Sequence, residues 1–287
     1  MTARLVVIVI AMAAASWSAA ARGSGSAPVL ISDAIAFAVI GDNGTGSAAQ
    51  YDVARQMLKT HATDPFEFVL MMGDNMYGSQ RPRDFSMKFE TPYGPLLRMG
   101  IPFYAALGNH DDPDNRHYPK FNMGGSRYYS VARGPARFFF FDTNFMDPAQ
   151  VKWIEQSLRD AREEWKIAIF HHPIYSDGDR HGPNVALRVV LEPLFIDYGV
   201  DVAFSGHEHI YERIKPQKGI PYFIVGSSGQ LRKGGLTRSA ITAASFDQDQ
   251  AFLVASIDGT GLSFRAISRT GAVVDSGVLH NRALTER

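Results

Sequence analysis

No cysteine occurs anywhere in the sequence. That excludes disulfides, thiolate metal ligands and a cysteine nucleophile. It also removes the residue that an N-terminal lipid anchor of the bacterial type requires. Net charge is missing too, because Lys+Arg and Asp+Glu both number 29. With no basic run, nothing marks a nucleic-acid surface. An anionic ligand would have to be drawn by local charge instead. Long apolar runs are scarce. The stretch Leu5 to Ala15 falls short of the roughly 20 residues a membrane span needs. Apart from the N-terminal stretch, internal repeats and low-complexity segments are absent.

What is present fits an ordinary globular chain of 287 residues, 45% hydrophobic and 20% charged. Arg4, the short apolar run and the small residues Ser16 to Ala21 have the layout of a secretory signal peptide. The expected organisation is a signal peptide over residues 1–21, a linker over 22–34 and one domain over 35–287. The mature protein would then be secreted or periplasmic, free of the membrane after cleavage, and a monomer.

From Ala34 the chain alternates strand, turn and helix. Apolar strands are expected at Ala36 to Ile40, Phe66 to Met72, Phe103 to Leu107, Ala136 to Phe141, Ile167 to Phe170 and Val200 to Phe204. Helices are expected at Ala48 to His61, from Pro148, and at Val185 to Tyr198, the last bent or interrupted at Pro193. Short strands joined by tight turns follow, at Tyr222 to Val225, Phe252 to Ile257, Leu262 to Ala266 and Ala272 to Val278. This is an α/β pattern of repeated βαβ units that finishes in antiparallel strands.

Five short blocks carry oxygen and imidazole donors: Gly41-Asp42-Asn43-Gly44, Gly73-Asp74-Asn75-Met76-Tyr77, Gly108-Asn109-His110-Asp111, His171-His172-Pro173 and Gly206-His207-Glu208-His209. Four of them follow an apolar strand, and ligands of open α/β sheets gather at strand carboxyl ends. Taken singly, each block has a plain reading. Asp42 could cap the next helix, the glycines around it could cradle a phosphate, and His171 and His172 could be packed core residues. Together, Asp42, Asp74, Asn109, His171, His207 and His209 suit Fe, Mn or Zn rather than a soft metal. The donors exceed what one ion with an open position needs, so a two-metal site follows.

The ordered blocks resemble the calcineurin-like metallophosphoesterase superfamily. Gly73-Asp74-Asn75-Met76-Tyr77 is similar to the block of purple acid phosphatases, in which a tyrosine binds ferric iron. His171-His172-Pro173-Ile174-Tyr175-Ser176 and His181-Gly182-Pro183 resemble the small mammalian-type, tartrate-resistant members. Tyr211-Glu212-Arg213 is more like the plant-type enzymes. The likeness runs from about Ala36 to Leu279, and it implies a β-sandwich flanked by helices. It further implies a ferric site at Asp42, Asp74, Tyr77 and His209. A divalent ion (Fe, Zn or Mn) would sit at Asn109, His171 and His207, with Asp74 bridging. By motif position His171 is the ligand and His172 packs beside it.

The implied activity is an acid phosphatase that hydrolyses small phosphate monoesters with a metal-bound hydroxide as nucleophile. Asn109, His110 and His181 would contact the substrate, and His110 and His181 would also act as proton donors. Two alternatives are a phosphodiesterase or nucleotidase of the same superfamily, and a non-catalytic metal- or phosphate-binding protein. Asp111, Asp112 and Asp114 read as a solvated loop. His61 reads as a helix-end residue, His117 and His280 as surface, and Trp153 and Trp165 as core.

Overall fold

The computed structural model describes residues 34–259 and 261–281. The segments expected to be a signal peptide and most of a linker lie outside the described residues. Along the chain the elements are β1 (Ile35–Ile40), α1 (Ala48–Thr63), β2 (Phe68–Met71), α2 (Pro82–Phe85), α3 (Gly94–Arg98) and β3 (Phe103–Ala105). Next come β4 (Tyr129–Arg133), β5 (Ala136–Phe140), α4 (Pro148–Asp160), β6 (Trp165–Ile169), α5 (Val185–Asp197) and β7 (Val202–Ser205). The chain closes with β8 (Tyr211–Gln217), β9 (Ile220–Val225), β10 (Thr242–Phe246), β11 (Ala251–Asp258), β12 (Gly261–Ser268) and β13 (Val273–Leu279).

The strands form two sheets. One has six strands in the order β13-β12-β11-β1-β2-β3, the other seven in the order β10-β8-β9-β7-β6-β5-β4. β1, β2 and β3 run parallel, and β11 adds antiparallel to the other edge of β1, with Ile35 opposite Ile257. In the second sheet β5, β6, β7 and β9 run parallel. The loops that leave parallel strands therefore emerge at one edge of each sheet.

The sandwich follows from period-two patterning. In β1, Ile35, Phe37 and Val39 point into the layer between the sheets, while Ala38 and Ile40 point outward under α1. In β6, Trp165, Ile167 and Ile169 point inward, and Ala168 faces α4 and α5. Aromatic rings fill the inner layer. Phe37 stacks on Phe68 at 5.5 Å and meets Phe138 edge-on at 5.2 Å. Such pairs add about 0.5–1.5 kcal/mol beyond area burial.

Helix starts are capped as the residue types dictate. Ser47, Asp147 and Asn184 each accept a backbone N–H from the first turn of α1, α4 and α5. α5 runs through Pro193 without interruption, contrary to one of the outcomes expected at that residue. β4, β8 and β10 escaped the sequence pattern. β4 and β10 are sheet edges, where polar residues are tolerated, and β8 carries Pro216 and breaks its apolar positions with Glu212, Arg213 and Lys215. Among the described residues no helix is long and apolar enough to cross a membrane.

Candidate active site

The donor blocks converge at the carboxyl ends of the parallel strands of both sheets. β1 and β2 deliver Asp42 and Asp74, β3 delivers Asn109 and His110, β6 delivers His171, and β7 delivers His207 and His209. To turn a side chain across the strand ends, the backbone takes left-handed conformations at three of these residues: Asp42 (φ 52°), Asp74 (φ 51°) and His207 (φ 69°). Strain of about 1–3 kcal/mol per such residue is typical of functional sites. Local bonds hold it in place: Asp42 N donates to Gly73 O at 3.0 Å, and His207 N donates to Asp42 Oδ2 at 2.9 Å.

Two donor groups result. In the first, ligand atoms of Asp42, Asp74 and His209 lie within 4.8 Å of one another. Tyr77 joins them, its hydroxyl 3.1 Å from Asp42 Oδ1 and 3.1 Å from His209 Nε2. In the second, His171, His172 and His207 meet within the same limit. His171 Nε2 stands 3.1 Å from His207 Nδ1 and 3.0 Å from Asn109 Oδ1. Asp74 links the groups, because its Oδ1 is 3.4 Å from His171 Nε2. All seven candidate ligands thus come together, and His172 lies closer to the cluster than its motif position suggested. His172 also pairs its Nδ1 with the Thr143 hydroxyl at 2.9 Å.

His110 and His181 stand over different halves of this cluster. The His110 ring lies 4.6 Å from that of Tyr77, and the His181 ring lies 4.1 Å from that of His207. The His110 backbone N–H also donates to Asp74 Oδ1 at 2.9 Å.

Electrostatics show what the cluster favours. Burial pushes the Asp42 carboxyl well above the carboxylate range, and the charge of Asp74 pushes it further. Burial raises the Tyr77 phenol as well, again reinforced by Asp42 and Asp74. Burial lowers His171, and it lowers His207 to about 2 with help from neighbouring His171. Buried acids crowded beside neutral imidazoles form an arrangement suited to one or two cations, since positive charge favours the ionised carboxylates and phenolate while the neutral imidazoles keep a lone pair for coordination. The donor chemistry fits hard or borderline ions.

Glycines let the blocks close on one another. A methyl group at Gly108 would overlap Asp74, and one at Gly206 would lie 2.5 Å from Asp42 Oδ2.

Several supporting residues were not anticipated. Asp111 is not a solvated loop residue. It is 8% exposed and accepts N–H groups from Asn75, Met76 and Gly108, plus the Asn75 amide, at 2.8–3.1 Å. It ties the β2 loop to the β3 loop, and completing the Gly-Asn-His-Asp block was its one sequence signal. Burial and the Asp74 charge push it up to about 8. Gln80 donates to His110 O at 2.6 Å, and Asn144 donates to Gly108 O at 3.2 Å. Lys88 Nζ donates to Tyr77 O and Ser79 O at 2.5 and 2.6 Å. No motif marks these three, because the contacts join residues distant in sequence.

Known proteins share the pattern and the fold of this chain. The pattern of the calcineurin-like phosphoesterases matches residues 35–211. The chain is 25% identical over 234 residues to tartrate-resistant acid phosphatase type 5 of Oryctolagus cuniculus, covering 67% of this chain and 72% of that one. It is 29% identical over 218 residues to Fe(3+)-Zn(2+) purple acid phosphatase 12 of Arabidopsis thaliana, covering 66% of this chain and 45% of that one. Its fold is shared with the solved structure of GAP50, the anchor in the inner membrane complex of Plasmodium, at TM-score 0.75 and 20% identity over 87% of this chain and 89% of that one. The strands, turns and donors that build the site all fall inside the matched segment, and the chain belongs to the calcineurin-like phosphoesterase family.

Proposed function

We propose that the protein is an exported acid phosphatase that hydrolyses small phosphate monoesters at a dinuclear Fe(III)–M(II) centre, M being Fe, Zn or Mn. The observation that carries this reading is Asp74, placed between the Tyr77–Asp42–His209 group and the Asn109–His171–His207 group. The first group would hold ferric iron and the second the divalent ion. Tyrosine, carboxylate and imidazole suit a hard trivalent ion, and two imidazoles with an amide oxygen suit a borderline divalent one. When bound, such a pair supplies Lewis-acid charge to the phosphoryl oxygens and activates water for attack.

The chain's own residues do the rest. Asn109 stands at the edge of the second group, exposed, where its amide N–H can meet a phosphate oxygen. His110 and His181 flank the cluster on its two halves. Each can bind the phosphate, and each can hand a proton to the departing alkoxide. The backbone N–H of His110 fixes the Asp74 carboxylate through its Oδ1. The Fe(3+)-Zn(2+) description of the Arabidopsis relative supports the mixed-metal assignment. The N-terminal sequence supports export.

Metal analysis together with a visible spectrum is the first test, followed by hydrolysis of 4-nitrophenyl phosphate against bis(4-nitrophenyl) phosphate. Iron with a second ion, a purple colour, an acid optimum and a preference for the monoester are expected. Colourless protein holding only zinc or manganese would remove the ferric assignment. A preference for the diester would make the protein a phosphodiesterase. Full metal content with no turnover would make it a binding protein.

A further inference from the structure

Glu208 lies between two candidate ligands, His207 and His209, yet its side chain points away from them. It is fully buried. Its Oε1 accepts the backbone N–H of His181 at 2.5 Å and that of Gly182 at 2.7 Å. Gly178 packs so closely on the carboxylate that a methyl group there would overlap it. Its Oε2 is buried with no hydrogen-bond partner. Burying a carboxylate oxygen without a partner is costly, and nothing in the packing of the sandwich requires an acid here.

We propose that Glu208 is a positioning residue: its carboxylate clamps the backbone of the 176–182 loop and so sets the His181 imidazole over the phosphoryl site. The proposal rests on the reading of His181 as a proton donor given above. The short segment from Gly206 to Glu212 then serves two ends. Its histidines face the donor cluster, and its glutamates face the loop.

Glu212 is the second anchor. It accepts the Ser176 hydroxyl at 2.9 Å and the Asp177 N–H at 3.0 Å. Ser176 Oγ in turn accepts the Gly178 N–H at 2.9 Å. Asp177 passes the restraint on, accepting from Ser239 N at 2.8 Å and from the Thr242 hydroxyl at 2.5 Å. A lone bridge between Gly178 and Leu236 completes the frame. The loop is thus held at Ser176–Asp177 by Glu212 and at His181–Gly182 by Glu208, and the His181 ring settles 4.1 Å from that of His207. Two backbone N–H groups converging on one oxygen fix the loop in both distance and direction. That suits a clamp which must hold an imidazole to within a fraction of an ångström.

The test compares wild type, Glu208→Ala, Glu208→Gln and His181→Ala on two monoesters, 4-nitrophenyl phosphate and phenyl phosphate. The nitrophenolate leaves with little need of a proton, and the phenolate needs one. A misplaced donor costs on the order of 10²-fold. Glu208→Ala is therefore expected to lose about 10²-fold in kcat on phenyl phosphate, less than about 10-fold on 4-nitrophenyl phosphate, and little in KM. Glu208→Gln, which keeps the acceptor oxygen, should restore most of the loss. Amide hydrogen exchange of the metal-free protein gives an independent readout. Exchange should quicken across residues 178–184 in Glu208→Ala and stay unchanged in the central strands. Should Glu208→Ala fail to fold, Glu208→Asp withdraws the oxygen by one methylene and should give the same signature more weakly.

Equal losses on both substrates, or unchanged exchange across the loop, would overturn the clamp. The control separates this from the donor reading. If His181→Ala shows no dependence on the leaving group, the donor reading falls. If His181→Ala shows it and Glu208→Ala does not, the clamp falls alone.

Discussion

The Tyr77 hydroxyl is equidistant from Asp42 Oδ1 and His209 Nε2, 3.1 Å from each. One phenol therefore touches a carboxylate delivered by the first sheet and an imidazole delivered by the second. Wild type loaded with ferric iron is expected to show a visible phenolate-to-iron band. Tyr77→Phe should keep the fold, by circular dichroism, and lose the band. A band that persists in Tyr77→Phe would assign the colour to another ligand.

Removing the ions should lower stability. Asp42 and Asp74 are both buried, and the charge of Asp74 disfavours ionisation of Asp42. A ligand present at 100 times its Kd adds about 2.7 kcal/mol to stability. Chelation should accordingly lower Tm by several degrees. Asp42→Asn should respond in the opposite sense, with a metal-free form more stable than stripped wild type and a loaded form less stable. Asparagine tolerates the left-handed backbone at this position, so the comparison isolates charge. Parallel melting curves with and without chelator would show it.

Asp111→Asn tests the link between the β2 and β3 loops. The carboxylate accepts four N–H groups, and an amide can turn only one oxygen toward them. An N–H left facing an N–H costs about 1–3 kcal/mol. Urea unfolding should show a loss of that size, and metal affinity should fall with it because Asn109 and Asp74 lose their common brace.

Glu212 carries a pH prediction. Burial raises its carboxyl from 4.5 to about 7, with Asp177 contributing in the same direction. The folded state thus holds the proton more tightly than the unfolded state. The stabilisation is complete below about pH 4.5 and is lost as pH rises through about 7. By linkage the loss amounts to about 3 kcal/mol. Glu212→Gln should flatten the stability profile between pH 5 and 8, measured by urea unfolding at each pH. An unchanged slope would mean that the Ser176 hydroxyl and the Asp177 N–H keep Glu212 ionised throughout.

The strands that carry the donors were legible because they are largely buried on both faces and most of them stop at glycine, β6 being the exception. β1 and β2 show this plainly, with every residue of β2 buried. The blocks at their ends were legible as chemistry because their donor types recur in order. β8 and β10 were hidden, since their polar residues serve contacts that period-two reading treats as noise. Arg213 of β8, for example, pairs with Asp275 of β13. Asp111 was misread because its charge suggested solvent, whereas its partners are backbone N–H groups of a loop some 35 residues away. Glu208 was passed over because a motif reading stops at the histidines on either side of it. Left-handed backbone at Asp42, Asp74 and His207 was not legible, because Asp and His favour it only weakly and none of the three is glycine.

The pairing of β1 with β11 has a consequence for synthesis. Ile35 and Val39 meet Ile257 and Leu253, more than two hundred positions later in the chain. As the chain leaves the ribosome, β1 can pair with β2 early, but its other edge stays open until β11 emerges. That edge presents unpaired N–H and C=O groups flanked by Phe37 and Val39, a template on which a neighbouring chain could build. Pairing of such long range also closes slowly. The protein should therefore depend on holding factors during the last stretch of translation, and truncations that remove β11 should aggregate rather than yield a smaller soluble domain.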